Sequence, residues 1–134
     1  MKKNFTLTFL LLVVIQTYSQ TLTCSDFKSG TFLVPADSIV EKSYTVIRKD
    51  NQQIEYDKDG NKSIVDIEFI DECNYIMKAN PKSENFDAMS QYVNDSGGIK
   101  IKVLKISRDT LFYSGLIEND SVRYEMPGIL IKLK

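Results

Sequence analysis

The sequence predicts an all-β domain: an antiparallel meander or small barrel of about eight or nine strands with one short helix. Three observations carry this. Runs of alternating apolar and polar residues recur, as in Val65-Asp66-Ile67-Glu68-Phe69 and Ile99-Lys100-Ile101-Lys102-Val103, and a period of two marks a half-buried strand. Turn residues punctuate the runs at Asp50-Asn51, Asp59-Gly60, Arg108-Asp109 and Pro127-Gly128, where Gly, Asn and Asp tolerate positive φ and Pro ends a ladder. One segment alone, Ser83–Val93, shows helical spacing, with Phe86, Met89 and Val93 at i, i+3 and i+7 and Ser83 as the expected N-cap.

The elements follow in order. The chain has 134 residues, which bounds it to one domain. Lys2 and Lys3 precede an apolar run from Phe5 to Ile15, and Thr17 and Ser19 stand at −3 and −1 of a cleavage site. That is the pattern of a secretory signal peptide over 1–19, leaving a β domain at 20–134. The run is short for a permanent transmembrane anchor; an uncleaved anchor is the alternative. Cys24 follows Thr21-Leu22-Thr23, with Leu one place too close and Thr where a small residue belongs, so a lipoprotein is not expected. The domain is therefore expected in the periplasm, at the cell surface or outside the cell.

After the turn-rich Cys24–Gly30, Thr31–Val34 reads as a strand stopped by Pro35. Tyr44–Arg48 and Ile54–Tyr56 form a hairpin across Lys49-Asp50-Asn51. The central hairpin comes next. Val65, Ile67 and Phe69 face one way and Asp66 and Glu68 the other; Asp71-Glu72 turns the chain; Cys73, Tyr75 and Met77 then share the inner face. A slip of one residue would put acids into the core, so the register is well specified. Asn80-Pro81 breaks the sheet before the helix, and Asn94–Gly98 ends the helix. Strands follow at Ile99–Ile106, Leu111–Leu116, Val122–Met126 and, beyond a Pro127-Gly128 turn, Ile129–Leu133.

Two cysteines in a small exported chain most simply form one disulfide, Cys24 to Cys73; two free buried thiols are the alternative. Net charge is −1, and loss of Lys2 and Lys3 makes it −3, against a nucleic-acid role, which calls for a basic face. Histidine is absent, which removes Ser-His and Cys-His catalysis and the commonest transition-metal ligand. Asp57–Glu68 has oxygen-bearing residues at 1, 3, 5 and 12 of a calcium loop, but Lys62 stands where that loop needs glycine, and a hairpin turn accounts for the same residues. No catalytic residue, metal or cofactor is expected.

Gly30-Thr31-Phe32 resembles the start of the lipocalins, a glycine followed two places later by an aromatic. The resemblance implies a lipocalin-like barrel in which Phe32 packs under an Arg from a late strand, here Arg123. Cys24-x-Asp26-Phe27-Lys28-x-Gly30-x-Phe32 and Ile67–Tyr75 are similar to a group of small exported proteins of flavobacteria and other Bacteroidetes that has no established activity. Some of its members carry the name "DNA topoisomerase IV", which this acidic chain without an ATP-binding motif does not support. That similarity pairs the same two cysteines. The expected function is binding of a small apolar or amphipathic molecule, with Phe32, Tyr44, Tyr56, Tyr75 and Arg123 as candidate ligand contacts and Tyr92, Tyr113 and Tyr124 as further cavity tyrosines. The alternative is a protein-interaction or structural component of the envelope. An enzyme is not expected, because no nucleophile–base pair or metal cluster can be named.

Overall fold

The computed structural model describes residues 20–134; the signal peptide expected over 1–19 lies outside the described residues. A short 3-10 helix, Cys24–Phe27, leads into β1 (Gly30–Val34), β2 (Tyr44–Lys49), β3 (Gln52–Tyr56), β4 (Lys62–Phe69) and β5 (Tyr75–Ala79). The helix α1 (Ala88–Asp95) follows, then β6 (Ile99–Ser107), β7 (Thr110–Glu118) and β8 (Arg123–Lys132). Each strand pairs antiparallel with the next, and β8 pairs with β1, closing a barrel of eight strands. Closure satisfies the edges that an open meander would leave to water or to other chains. Among the described residues no helix is long and apolar enough to cross a membrane.

Two-residue hairpins fall where Asp and Asn predicted them. Asp50 and Asn51 have φ of 52° and 60°, the pair of positive values that matches the strand twist. Asp57 braces the next turn, its carboxylate accepting from the Asp59 and Asn61 amides at 2.8 and 2.9 Å and from the Asn61 side chain at 2.7 Å. That carboxylate is thus committed within the turn.

Two expectations need correcting. Pro127-Gly128 is no turn: β8 runs through it, so nine expected strands become eight. β1 meets β8 only at Phe32↔Lys132 and Leu33↔Ile131, so at Pro127 the strand is paired on the β7 side alone, an edge-like position that tolerates proline. The helix also starts later than expected. Its N-cap is Asp87, whose carboxylate accepts from the Ser90 amide at 2.8 Å. Ser83 is instead buried, and its hydroxyl accepts from the Ile64 amide at 3.0 Å, tying the connection to β4.

One end of the barrel is solid. Phe27, Phe32, Val34, Val46, Leu111 and Leu130 form its core, each large side chain contributing about 1.5–3 kcal/mol by burial. Phe27 and Phe32 stack at 5.7 Å between ring centroids. The Cys24–Cys73 disulfide, with Cα atoms 5.0 Å apart, fastens the 3-10 helix to the β4–β5 hairpin. A disulfide fits an oxidising compartment.

Candidate functional site

Inward-facing positions alternate along the strands, with a break at the β6 bulge between Val103 and Lys105, and their sizes decide where the barrel is full. On β7, Leu111 fills the solid end, Tyr113 sits midway, and Gly115 leaves space toward the other end. Opposite Tyr113 on β8 is Gly128, where an added β-carbon would overlap the tyrosine ring. The ring therefore lies across Gly128 and reaches into the interior. Gly115 and Ala79 leave a cavity of about 310 Å³, at the small end of the range for ligand sites.

The cavity wall is mostly apolar. Val65, Ile99 and Ile101 contribute aliphatic surface, and Met77, Met89 and Met126 bring three thioethers, which adapt to irregular shapes. Helix α1 lines one side through Met89, Ser90 and Val93. It is held at both flanks. Asn94 exchanges two hydrogen bonds with the Ala79 backbone, 2.9 Å from the amide and 2.8 Å to the carbonyl, imitating a strand partner at the end of β5. The Asn119 side-chain amide, in the β7–β8 turn, donates to the Tyr92 hydroxyl at 2.9 Å and to Ser96 at 3.0 Å.

The polar groups on the wall are Tyr44, Glu55, Tyr113 and Ser90. Glu55 belongs to a relay that starts in the solid end. Arg48, 3% exposed, donates to the Phe27 carbonyl at 3.0 Å, to the Tyr75 hydroxyl at 2.7 Å and to the Gln53 carbonyl oxygen at 2.8 Å. The Gln53 side-chain amide then donates to Glu55 Oε1 at 2.6 Å. Arg48 also lies over the Tyr75 ring at 4.7 Å and the Phe32 ring at 5.6 Å, where the ring faces favour a cation. Lys132 approaches Phe32 from β8 at 5.1 Å and donates to the Asp26 and Ser29 carbonyls. Two cations thus satisfy carbonyls of the 3-10 helix and the turn after it.

Withdrawal from water raises the Glu55 carboxyl above the usual carboxylate range, against the opposing pull of the Gln53 hydrogen bond and the Arg48 charge. Desolvation likewise pushes the Tyr113 hydroxyl up to about 12, with the neighbouring Tyr75 adding to it. Tyr44 is moved above the ordinary tyrosine range by desolvation, then by Glu55. Among the described residues, neither the Tyr44 nor the Tyr113 hydroxyl has a hydrogen-bond partner, and no group of three or more Cys, Asp or Glu residues is placed to hold a metal ion.

Of the expected ligand contacts, only Tyr44 lies on the cavity wall. Phe32 is fully buried in the solid end. Tyr75 is buried as well, and its hydroxyl goes to Arg48. Tyr56 alternates with Glu55 and falls on the outer face of β3, away from the cavity. Arg123 does not reach Phe32: it lies at the far end of β8, its side chain 60% exposed, paired with Glu118 at 2.8 Å. The register puts Lys132 opposite Phe32, so the late-strand cation over that ring is Lys132, joined by Arg48 from β2. Of the further tyrosines, Tyr113 is on the wall, while Tyr92 and Tyr124 are exposed. Glu55, its relay from Arg48, and the three methionines were not expected. A signal for Arg48 and Glu55 exists: Arg48 lies two residues from the apolar Val46, and Glu55 lies directly across the hairpin from Val46. Comparison with family models, curated proteins and solved structures finds no match for this chain.

Proposed function

We propose that this protein binds a small apolar or amphipathic molecule inside its barrel, acting as a carrier or receptor in the cell envelope or outside the cell. The observation that carries the reading is the cavity: about 310 Å³, mostly apolar, with a few polar groups on its wall and a helix tied across one side. Concave apolar sites with sparse polar groups are the usual form of small-molecule sites. The closed barrel supports this reading over an interaction module. A module would present a free strand edge or a filled core with a large apolar face, whereas here β8 pairs back onto β1. The aromatic–cation stack at the solid end agrees with a lipocalin-like role. The disulfide and the 1–19 segment support export.

The test uses the uncharged fluorophore N-phenyl-1-naphthylamine. A β-carbon at Gly115 would stand 3.3 Å from Ile99, 3.4 Å from Ile101 and 3.6 Å from Met126, so the Ile99 side chain must give by a few tenths of an ångström to admit a side chain that then enters the cavity. The purified protein should bind the fluorophore saturably at one site, and Gly115→Leu should abolish that binding while remaining folded. Absence of saturable binding, or equal binding by a folded Gly115→Leu, refutes the function.

A further inference from the structure

Resting on this binding reading, we propose that the cavity selects an uncharged amphiphile: a slender apolar body with one hydroxyl or amide head, which docks among Glu55, Tyr44 and Tyr113. Three observations lead there.

The first is the state of the polar groups. Gln53 occupies Glu55 Oε1, and Oε2 has no donor among the described residues. The two tyrosine hydroxyls are also without partners. Glu55 and Tyr44 are neighbours across one hairpin, since Val46 pairs with Glu55 and Tyr44 lies two residues away on the same face. Tyr113 comes from β7, and the charge of Glu55 acts on both hydroxyls. No fully buried side-chain polar atom among the described residues lacks a partner, so these three groups open onto the cavity itself. A head group that both donates and accepts could bond all three there.

The second is charge. The acid of the wall, Glu55, is tied through Gln53 to the buried Arg48. A ligand ammonium would need that carboxyl ionised, which desolvation opposes, and would have to share its charge with Arg48. A ligand carboxylate would find no cation on the wall. Arg48 lies behind Gln53 with bonds to three partners, and Lys132 is bound to carbonyls at the solid end. Lys42 lines not the cavity but an adjoining depression that shares Tyr44 and Glu55 with it, and Asp57 lines that depression too. An alcohol or amide carries neither penalty, and it can meet the carboxyl in either protonation state.

The third is size and texture. About 310 Å³ holds a single slender body and excludes a two-chain lipid. The thioethers of Met77, Met89 and Met126 let that body vary in shape.

Three probes of one chain length, decan-1-ol, decylamine and decanoate, decide the matter by calorimetry and by displacement of N-phenyl-1-naphthylamine at pH 7. Decanol should bind at least about tenfold more tightly than either charged probe. The Tyr44→Phe/Tyr113→Phe variant removes only hydroxyls that no protein group uses. It should weaken decanol about three- to tenfold, the value of one or two hydrogen bonds, and by a larger factor than it weakens the fluorophore. A charged probe that matches decanol overturns the proposal, and so does a tyrosine variant that binds decanol as the wild type does. If the fluorophore binds and decanol does not, the head-group assignment fails and the binding function stands. If neither binds, both fall.

Discussion

Replacing both disulfide partners, Cys24→Ser with Cys73→Ser, tests the closing of the solid end most directly. The bridge joins residues 49 apart in sequence. In the chain-entropy account a loop of that length removes about 14 cal/mol/K from the unfolded ensemble, or about 4 kcal/mol at 25 °C. The native state keeps other ties at the same place. Phe27 stays stacked on Phe32, Arg48 and Lys132 hold backbone carbonyls, and Ser25 donates to Glu72 at 3.1 Å. The variant should therefore fold, with a melting temperature lower by roughly 15 °C at about 4 °C per kcal/mol. Urea unfolding followed by far-ultraviolet circular dichroism suits a chain without tryptophan. The expected result is a lower midpoint and a loss near 4 kcal/mol against the oxidised wild type. Because the cross-link compacts the unfolded chain, the denaturant slope should rise slightly. A loss below about 1 kcal/mol would refute the reasoning, since the loop closure would then contribute little to folding.

Other consequences can be checked the same way. Arg48→Met keeps the volume but strips donors from the Phe27 carbonyl, Gln53 and Tyr75; it should cost about 3 kcal/mol or more in urea unfolding, and a cost under 1 would show that the guanidinium is dispensable. Gly128→Ala drives a β-carbon into the Tyr113 ring and should cost about 1–3 kcal/mol; Tyr113→Leu in the same chain should recover part of that loss, and strict additivity of the two changes would exclude the clash. Glu55→Gln reports on pH. The folded-state pKa of Glu55 is raised from an ordinary value near 4.5, so its stabilising contribution is full below that value and is lost as pH rises through the folded pKa. Wild type should therefore lose stability relative to Glu55→Gln as pH rises above about 4.5, and a flat difference would contradict the burial of the carboxyl. Asp26, Asp37, Asp57, Asp71 and Asp87 act in the opposite sense: backbone and side-chain hydrogen bonds lower their pKa values, so what they contribute is present above the ordinary carboxylate range and is lost on acidification.

Much of the barrel was legible because its signals are local. The Asp50-Asn51 and Arg108-Asp109 turns, the alternation in β4 and β6 and the cysteine pair each depend on a few adjacent residues or on simple counting. Where reading failed, distant partners decided. In β3 the residues Gln53-Ile54-Glu55-Tyr56 alternate, and hydrophobicity alone would turn Ile54 and Tyr56 inward. The structure turns Gln53 and Glu55 inward instead, because Arg48 on β2 requires partners inside the barrel. Ser83 lost its expected capping role to a distant amide of β4. Arg123 and Lys132 are both cations of β8, and only the pairing of β8 with β1 chooses which one meets Phe32.

The amino-acid sequence by itself determined the all-β class, the antiparallel order, the pairing of the cysteines and the absence of histidine chemistry, all properties of composition and short-range pattern. Tertiary structure alone decided that the sheet closes, that one end is solid while the other holds a cavity, and that Glu55, Tyr44 and Tyr113 share its wall. The physical reason is that alternation specifies which face a side chain takes. The level it occupies along the barrel, and the side chains it meets across the interior, depend on register summed over all eight strands.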